Sequence, residues 1–264
     1  MTLDLPDPDR PLSELGGKGL FTREIEEALA AGGIDIAVHS MKDMPTLQPE
    51  GLGITCYLPR EDVRDAFVSL DGALLAELPA GTVVGTSSLR RRAQLRHRRP
   101  DLEVTEFRGN VQTRMRKLQE GVAAATFLAM AGLRRLGLTE LARTPIGPDE
   151  MLPAVAQGAI GVEQRADDDR VAALLAPIHD VETGHRLAAE RAFLLGLDGS
   201  CQTPIAGLAE LDGDRLRLRG EILRPDGSEC LAHAVDGSVG EAVDMGASAA
   251  AELRGRAGPG FFDA

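Results

Sequence analysis

The stretch Gly199-Ser200-Cys201-Gln202-Thr203-Pro204-Ile205 places a thiol among small residues and a proline, directly after an apolar helix pattern running from His185 to Leu197. A lone cysteine is ordinarily a small core hydrophobe, but a loop setting points to a sulfur used in chemistry. The three cysteines, Cys56, Cys201 and Cys230, lie far apart with no C-x-x-C or metal-like spacing, which fits a reducing cytosol better than a disulfide scaffold. A second chemical feature is Lys42-Asp43, inside His39-Ser40-Met41-Lys42-Asp43-Met44-Pro45. Asp43 reads either as a capping carboxylate or as a group for proton transfer or cation stabilisation, with Lys42 holding an anion. His39, at a strand end among apolar residues, reads as structural.

Arginines form the third feature. Between Ser88 and Leu118 there are ten Lys/Arg against three Asp/Glu, in a chain of net charge −12. A positive patch on an acidic protein suggests one anionic ligand drawn to one cleft. Arg90, Arg91, Arg108, Arg114 and Arg135 fall at or just after strand ends, where guanidiniums can converge and grip carboxylate or phosphate in bidentate fashion. Arg92, Arg96, Arg98 and Arg99 read as a solvated helix face. Nucleic acid is disfavoured, because Phe107 is the one aromatic residue of that segment and no helix-turn-helix or zinc-finger pattern accompanies the charges. Lys18, in Gly16-Gly17-Lys18-Gly19, lacks the rest of a Walker pattern, which argues against a nucleotide site.

The elements that must position these residues alternate. The chain has 264 residues, 43% hydrophobic and 27% charged, which is ordinary for a globular protein. It has no run long and apolar enough to span a membrane and no export signal after Met1. The first clear element opens at Gly16-Gly17-Lys18-Gly19-Leu20-Phe21, with Phe21, Ile25, Ala28 and Leu29 recurring at helical spacing, and the helix stops at Gly32-Gly33; Ile34–Val38 and Gly53–Leu58 read as strands. Strands are expected again at Thr82–Gly85, Leu102–Phe107 and Ala123–Met130, each followed by a helical pattern. That alternation predicts a mostly parallel sheet with helices on both faces. Leu152–Val162 reads as a loop and strand returning between two such units. From Val181 a long helix, a strand at Arg215–Leu223, a Pro225-Asp226-Gly227 turn, a strand at Cys230–Val235 and a helix at Ala242–Arg256 predict a small α+β unit.

Several strings then resemble one family, the hydroxymethylbilane synthases or porphobilinogen deaminases. They are GGKGLF (Gly16–Phe21), DIAVHSMKDMP (Asp35–Pro45), REDVRDAFVS (Arg60–Ser69), GTSSLRRRAQL (Gly85–Leu95), FRGNVQTRMRKL (Phe107–Leu118), AGLRRLGL (Ala131–Leu138), LPAVAQGAIGVE (Leu152–Glu163) and GSCQTPIAG (Gly199–Gly207). They occur in the family's order over nearly the whole chain.

The resemblance implies two periplasmic-binding-protein-like, doubly wound α/β domains plus a small α+β C-terminal domain. The expected bounds are 1–58 with 159–177 for the first, 64–152 for the second and 181–264 for the third. It implies a cytoplasmic, monomeric transferase of tetrapyrrole and heme biosynthesis. Such an enzyme condenses four porphobilinogen molecules onto a dipyrromethane cofactor, held by a thioether to Cys201, and then hydrolyses the product off. Asp43 is implied as the catalytic carboxylate. Lys18, Ser40, Lys42, Ser88, Arg90, Arg91, Arg108, Gly109 and Asn110 are implied to hold the cofactor, and Arg114, Arg135 and Gln157 the substrate; no metal, nucleic acid or membrane is implied. The family starts about forty residues earlier, so Met1 is expected to be an internal methionine and two strands of the first sheet to be missing, exposing apolar surface and unpaired backbone. The family's aspartate near Ala124 is also absent, with little catalytic effect expected. The competing expectations are a non-catalytic anion-binding protein of the periplasmic type and an inactive fragment of the synthase.

Overall fold

The computed structural model of the chain describes residues 20–142, 144–199 and 203–263. The chain enters through α1 (Leu20–Ala30), whose Leu29 is buried against Ala37 and Leu52. The helix ends where expected. Gly32 takes φ +71°, and the Gly32 and Gly33 N–H groups donate to Leu29 O and Ala28 O, closing the last carbonyls as a left-handed cap does. β1 (Ala37–Ser40) and β2 (Leu52–Tyr57) follow.

The middle unit contains β3 (Asp65–Ser69), β4 (Val83–Gly85), α2 (Leu89–Arg98), β5 (Glu103–Thr105), α3 (Val111–Gln119), β6 (Ala125–Ala129), α4 (Met130–Leu136) and β7 (Thr144–Ile146). Its sheet runs β5-β4-β6-β3-β7. The expectation of a mostly parallel sheet is corrected here. β4 is parallel to β5 and β6, but β3 is antiparallel to both β6 and β7. The reason is the connection. β3 follows directly from the first unit without the helical crossover that parallel pairing requires. β3 escaped the sequence reading because Asp65, Ala66, Phe67 and Val68 are all buried, so they show no alternation, as in a strand covered on both faces.

β8 (Ile160–Arg165) returns to the first unit and lies between β1 and β2, antiparallel to each. The two crossing segments, 58–64 and 153–159, bond to one another through Glu61 N–H to Gly158 O at 3.0 Å, and Leu58 N–H donates to Ile160 O at the start of β8, also at 3.0 Å. Gly158 holds φ +85°, and a Cβ there would meet Glu61 O at 2.5 Å. Only glycine lets these two strands of chain pass so closely.

After α5 (Asp169–Leu175) comes α6 (Val181–Gly196), capped by Asp180, whose carboxylate accepts from Thr183 N–H at 2.7 Å. β9 (Ile205–Asp212), β10 (Arg215–Leu223) and β11 (Cys230–Ser238) form an antiparallel meander, closed by α7 (Ala242–Ala257). The expected hairpin is present, and β9, which the sequence reading did not single out, adds a third strand. Phe193 of α6 is fully buried and lies on Gly220 and Gly207, where a Cβ would intrude on its ring. The overall class is the α/β architecture with a small α+β unit that the sequence pattern implied.

Candidate active site

A cavity of about 630 Å³ opens where the three sheets' units meet. The first unit contributes Lys42 and Asp43, the middle unit Ser88, Arg90, Arg91, Arg92, Arg108 and Arg114, the crossing segment Gln157, and the last unit Leu194, Thr203 and Ile205.

Lys42 and Asp43 sit on a single 3-10 turn, Met41–Asp43, leaving β1. The residues on either side are anchors. Met41 is 1% exposed and Met44 5%, and both join the core formed by Leu187, Phe193 and Ile205 of the last unit. Burying those two methionines leaves Lys42 and Asp43 facing the cavity. Burial, reinforced by the nearby Arg91 guanidinium, lowers the Lys42 ammonium from its ordinary value, with Asp43 opposing. No residue among those described makes a hydrogen bond or ion pair with its amine. Asp43 is exposed in the cavity.

The arginines are delivered by α2. Ser88 caps this helix, accepting from Arg91 N–H at 3.4 Å, which sets Arg90 and Arg91 in the first turn. Both are buried and both converge on Asp65, at 2.7 Å each. Arg90 also donates to Gln94 Oε1 and Leu152 O, and Arg91 to Phe127 O. Gln157 completes the set, donating to Asp65 Oδ1 at 2.9 Å and to Val63 O at 2.8 Å. Burial would push the Asp65 carboxyl up, but the Arg90 and Arg91 charges and the Arg91 and Gln157 hydrogen bonds outweigh it and hold it well below the usual carboxylate range. Burial lowers the Arg90 guanidinium, with Asp65 opposing. Arg114 reaches Gly109 O at 2.9 Å, and burial together with Arg91 brings it down to about 10. On the cavity rim, Glu106 accepts from Arg92 and from Arg108, each at 2.8 Å. The Nε atoms of Arg90, Arg91 and Arg92 are buried without a hydrogen-bond partner among the described residues.

Thus Lys42, Asp43, Ser88, Arg90, Arg91, Arg108, Arg114 and Gln157 come together. Four expected residues do not line the cavity. Ser40 is exposed at the end of β1. Asn110 caps α3, accepting from Thr113 N–H at 2.9 Å, and Gly109 holds the preceding turn at φ +115°. Arg135 is exposed on α4. Lys18 and Cys201 lie outside the described residues. His39 keeps its structural reading, 2.9 Å from the buried Glu163 carboxylate. Arg92, assigned to a solvated face, instead lines the cavity; Arg99 donates to Leu75 O and Leu78 O, and Arg98 lies 3.5 Å from Glu221. Sequence reasoning missed Asp65, whose signal was a carboxylate opening the apolar run Ala66-Phe67-Val68. It also missed Glu106, for which no one-dimensional signal exists.

This arginine-lined cavity lies in a chain with clear relatives among known proteins. The family model described as porphobilinogen deaminase, dipyromethane cofactor binding domain, matches residues 6–173, and that of the porphobilinogen deaminase C-terminal domain matches 185–255. Porphobilinogen deaminase of Paracoccus denitrificans is 71% identical over 97% of this chain and 82% of its own length. That of Nitrobacter hamburgensis is 56% identical over 96% and 80%, and the chloroplastic protein of Pisum sativum is 56% identical over 96% and 70%. Among solved structures, a Salmonella typhimurium periplasmic binding protein described for its arginine specificity shares 13% identity and a TM-score of 0.35, over 62% of this chain and 72% of its own. The chain belongs to the porphobilinogen deaminase family, the hydroxymethylbilane synthases, which are transferases carrying a dipyrromethane cofactor.

Proposed function

We propose that this chain condenses porphobilinogen units head to tail on a Cys201-linked dipyrromethane and releases hydroxymethylbilane by hydrolysis. The observation that carries the reading is the convergence of five arginines and Lys42 on one cavity together with Asp43. Every porphobilinogen unit brings two carboxylates, so the growing chain is a polyanion that calls for such a lining. The buried Nε atoms of Arg90, Arg91 and Arg92 have no acceptor among the described residues, and a multiply carboxylated dipyrromethane fits that donor set. When bound, the dipyrromethane supplies the primer pyrrole to which substrate is joined.

Cys201, Lys42 and the cavity arginines would hold the dipyrromethane so that its free α-carbon is offered to the aminomethyl carbon of porphobilinogen, ammonia leaving the aminomethyl carbon and a proton the α-carbon. Asp43 stabilises the cation left when ammonia departs and accepts the α-proton. Lys42, Arg108 and Arg114 hold acetate and propionate groups. Arg90 and Arg91, fixed by Asp65 and Gln157, present a rigid positive wall. Ser40, Gly109, Asn110, Arg135 and Lys18 belong to the same binding role by family resemblance.

We assign residues 1–58 with 159–177, 64–152 and 181–264 to the three domains, and expect a cytoplasmic monomer that binds neither nucleic acid nor membrane. Among the described residues no helix is long and apolar enough to cross a membrane. Porphobilinogen consumption tests the reading. Wild type consumes it, and Asp43→Asn loses about 10²-fold or more in turnover. Wild-type turnover in Asp43→Asn would remove Asp43 from the chemistry.

A further inference from the structure

Arg191 lies on α6, ten residues before Cys201 in sequence. Its guanidinium bonds carbonyl oxygens. It donates to Pro45 O at 2.8 Å, Thr46 O at 2.9 Å and Gln48 Oε1 at 3.3 Å, and Gln48 Nε2 donates in turn to Pro45 O at 2.9 Å. No ion pair involves Arg191 among the described residues, and burial lowers its guanidinium from the ordinary value, with Tyr57 opposing.

A guanidinium withdrawn from water without a counter-charge is costly, and an apolar side chain of similar volume would pack there at less expense. What it supplies instead is a fixed multi-point grip on backbone. The gripped segment needs one. Residues 44–49 form neither helix nor strand, and they follow immediately on the turn that carries Lys42 and Asp43. The same turn is pinned through Met41 and Met44 into the core around Phe193, two residues from Arg191 on α6. The Asp43 turn is therefore tied to α6, the helix that precedes Cys201 in sequence, as well as to its own sheet.

We propose that Arg191 is a positioning residue for the condensation, locking the Asp43 turn to α6 so that the carboxylate and the Cys201-anchored chain keep one register. The inference rests on the assignment of Asp43 and Cys201 above and deepens it. Displacements of about 1 Å at a reacting centre cost up to about 10²-fold in rate, so the lock acts on turnover and much less on substrate affinity.

The test uses the full chain purified with its cofactor, with loading read from the mass of the denatured protein, and compares Arg191→Met, Arg191→Lys and Asp43→Asn. Arg191→Met keeps the packing volume and removes every donor. Its kcat per loaded site is expected to fall on the order of ten- to hundredfold, with KM within threefold of wild type and thermal stability retained. Arg191→Lys, able to reach one carbonyl, is expected between the two and carries the same reading should Arg191→Met fail to fold. In an Asp43→Glu background, where the carboxylate is already displaced, Arg191→Lys should cost less than half the factor it costs alone, because both changes act through one group. A kcat per loaded site within twofold of wild type for the Arg191 variants, or the same fold loss in both backgrounds, overturns the proposal. Wild-type turnover in Asp43→Asn would instead overturn the assignment of Asp43 on which it rests.

Discussion

Replacing Asp65 by Asn probes the arginine wall at the carboxylate on which Arg90 and Arg91 converge. Asp65 is fully buried and is the shared acceptor of Arg90, Arg91 and Gln157. Asn keeps the shape, but its single oxygen can serve only part of that set, and two buried guanidiniums lose their counter-charge. Removing one partner of a buried ion pair costs about 3–5 kcal/mol. That is a large part of a native stability of about 5–15 kcal/mol. In a chain of this size about 1 kcal/mol moves Tm by about 2–4 °C, so the variant should melt about 6–20 °C below wild type at pH 7. The pH dependence has a definite sign. The folded carboxyl is held below its unfolded value near ~3.9, so its stabilisation is fully present above that value and fades as pH falls beneath it. The gap between wild type and Asp65→Asn should therefore be constant from pH 7 down to about 5 and narrow below about 4. Thermal unfolding followed by circular dichroism at several pH values reads both features. A variant melting within 2 °C of wild type at pH 7 would refute the claim that Asp65 holds the two arginines in place.

Gly161→Ala should lower turnover at least about tenfold, because its Cβ would overlap the Met41 sulfur and push the Asp43 turn; steady-state kinetics with a parallel melt, expected to show an overpacking cost of about 1–3 kcal/mol, checks it. Glu106→Gln frees Arg92 and Arg108 from their shared carboxylate. KM for porphobilinogen should fall about two- to fivefold, since a half-exposed pair of this kind is worth about 0.2–1 kcal/mol. Glu190→Gln breaks the bidentate contact with Arg60, at 2.6 and 3.0 Å, and weakens acceptance from the Ala156 and Ala209 N–H groups. This tie joins both crossing segments to the last unit, and its loss should cost about 3–5 kcal/mol, visible as a lower Tm and faster proteolysis.

Helices α1, α6 and α7 were placed from their apolar patterns, and the end of α1 from Gly32-Gly33; the Asp180 cap of α6 came only from the structure. The alternating strands β10 and β11 were equally plain. β3 and β9 were not, because strands buried on both faces read as unpatterned apolar runs. The parallel expectation failed for β3 because pairing direction depends on how the chain crosses between units, which local pattern does not encode. In the site, Arg90, Arg91, Arg108 and Arg114 were legible from their places at strand ends. Asp65 was not, because a carboxylate 25 residues from its arginine is matched to it only by the fold; Glu106 lies two residues from Arg108, but only the fold brings it to Arg92 as well. The same holds for Arg191, 146 residues from the carbonyl it grips.

Self-priming by this chain would leave a covalent dipyrromethane on Cys201. The intact mass of the denatured protein, measured beside Cys201→Ser, tests it most directly. An added mass of two pyrrole units is expected on the wild-type chain and none on the variant. An unmodified wild-type chain, or the same added mass on Cys201→Ser, would contradict it.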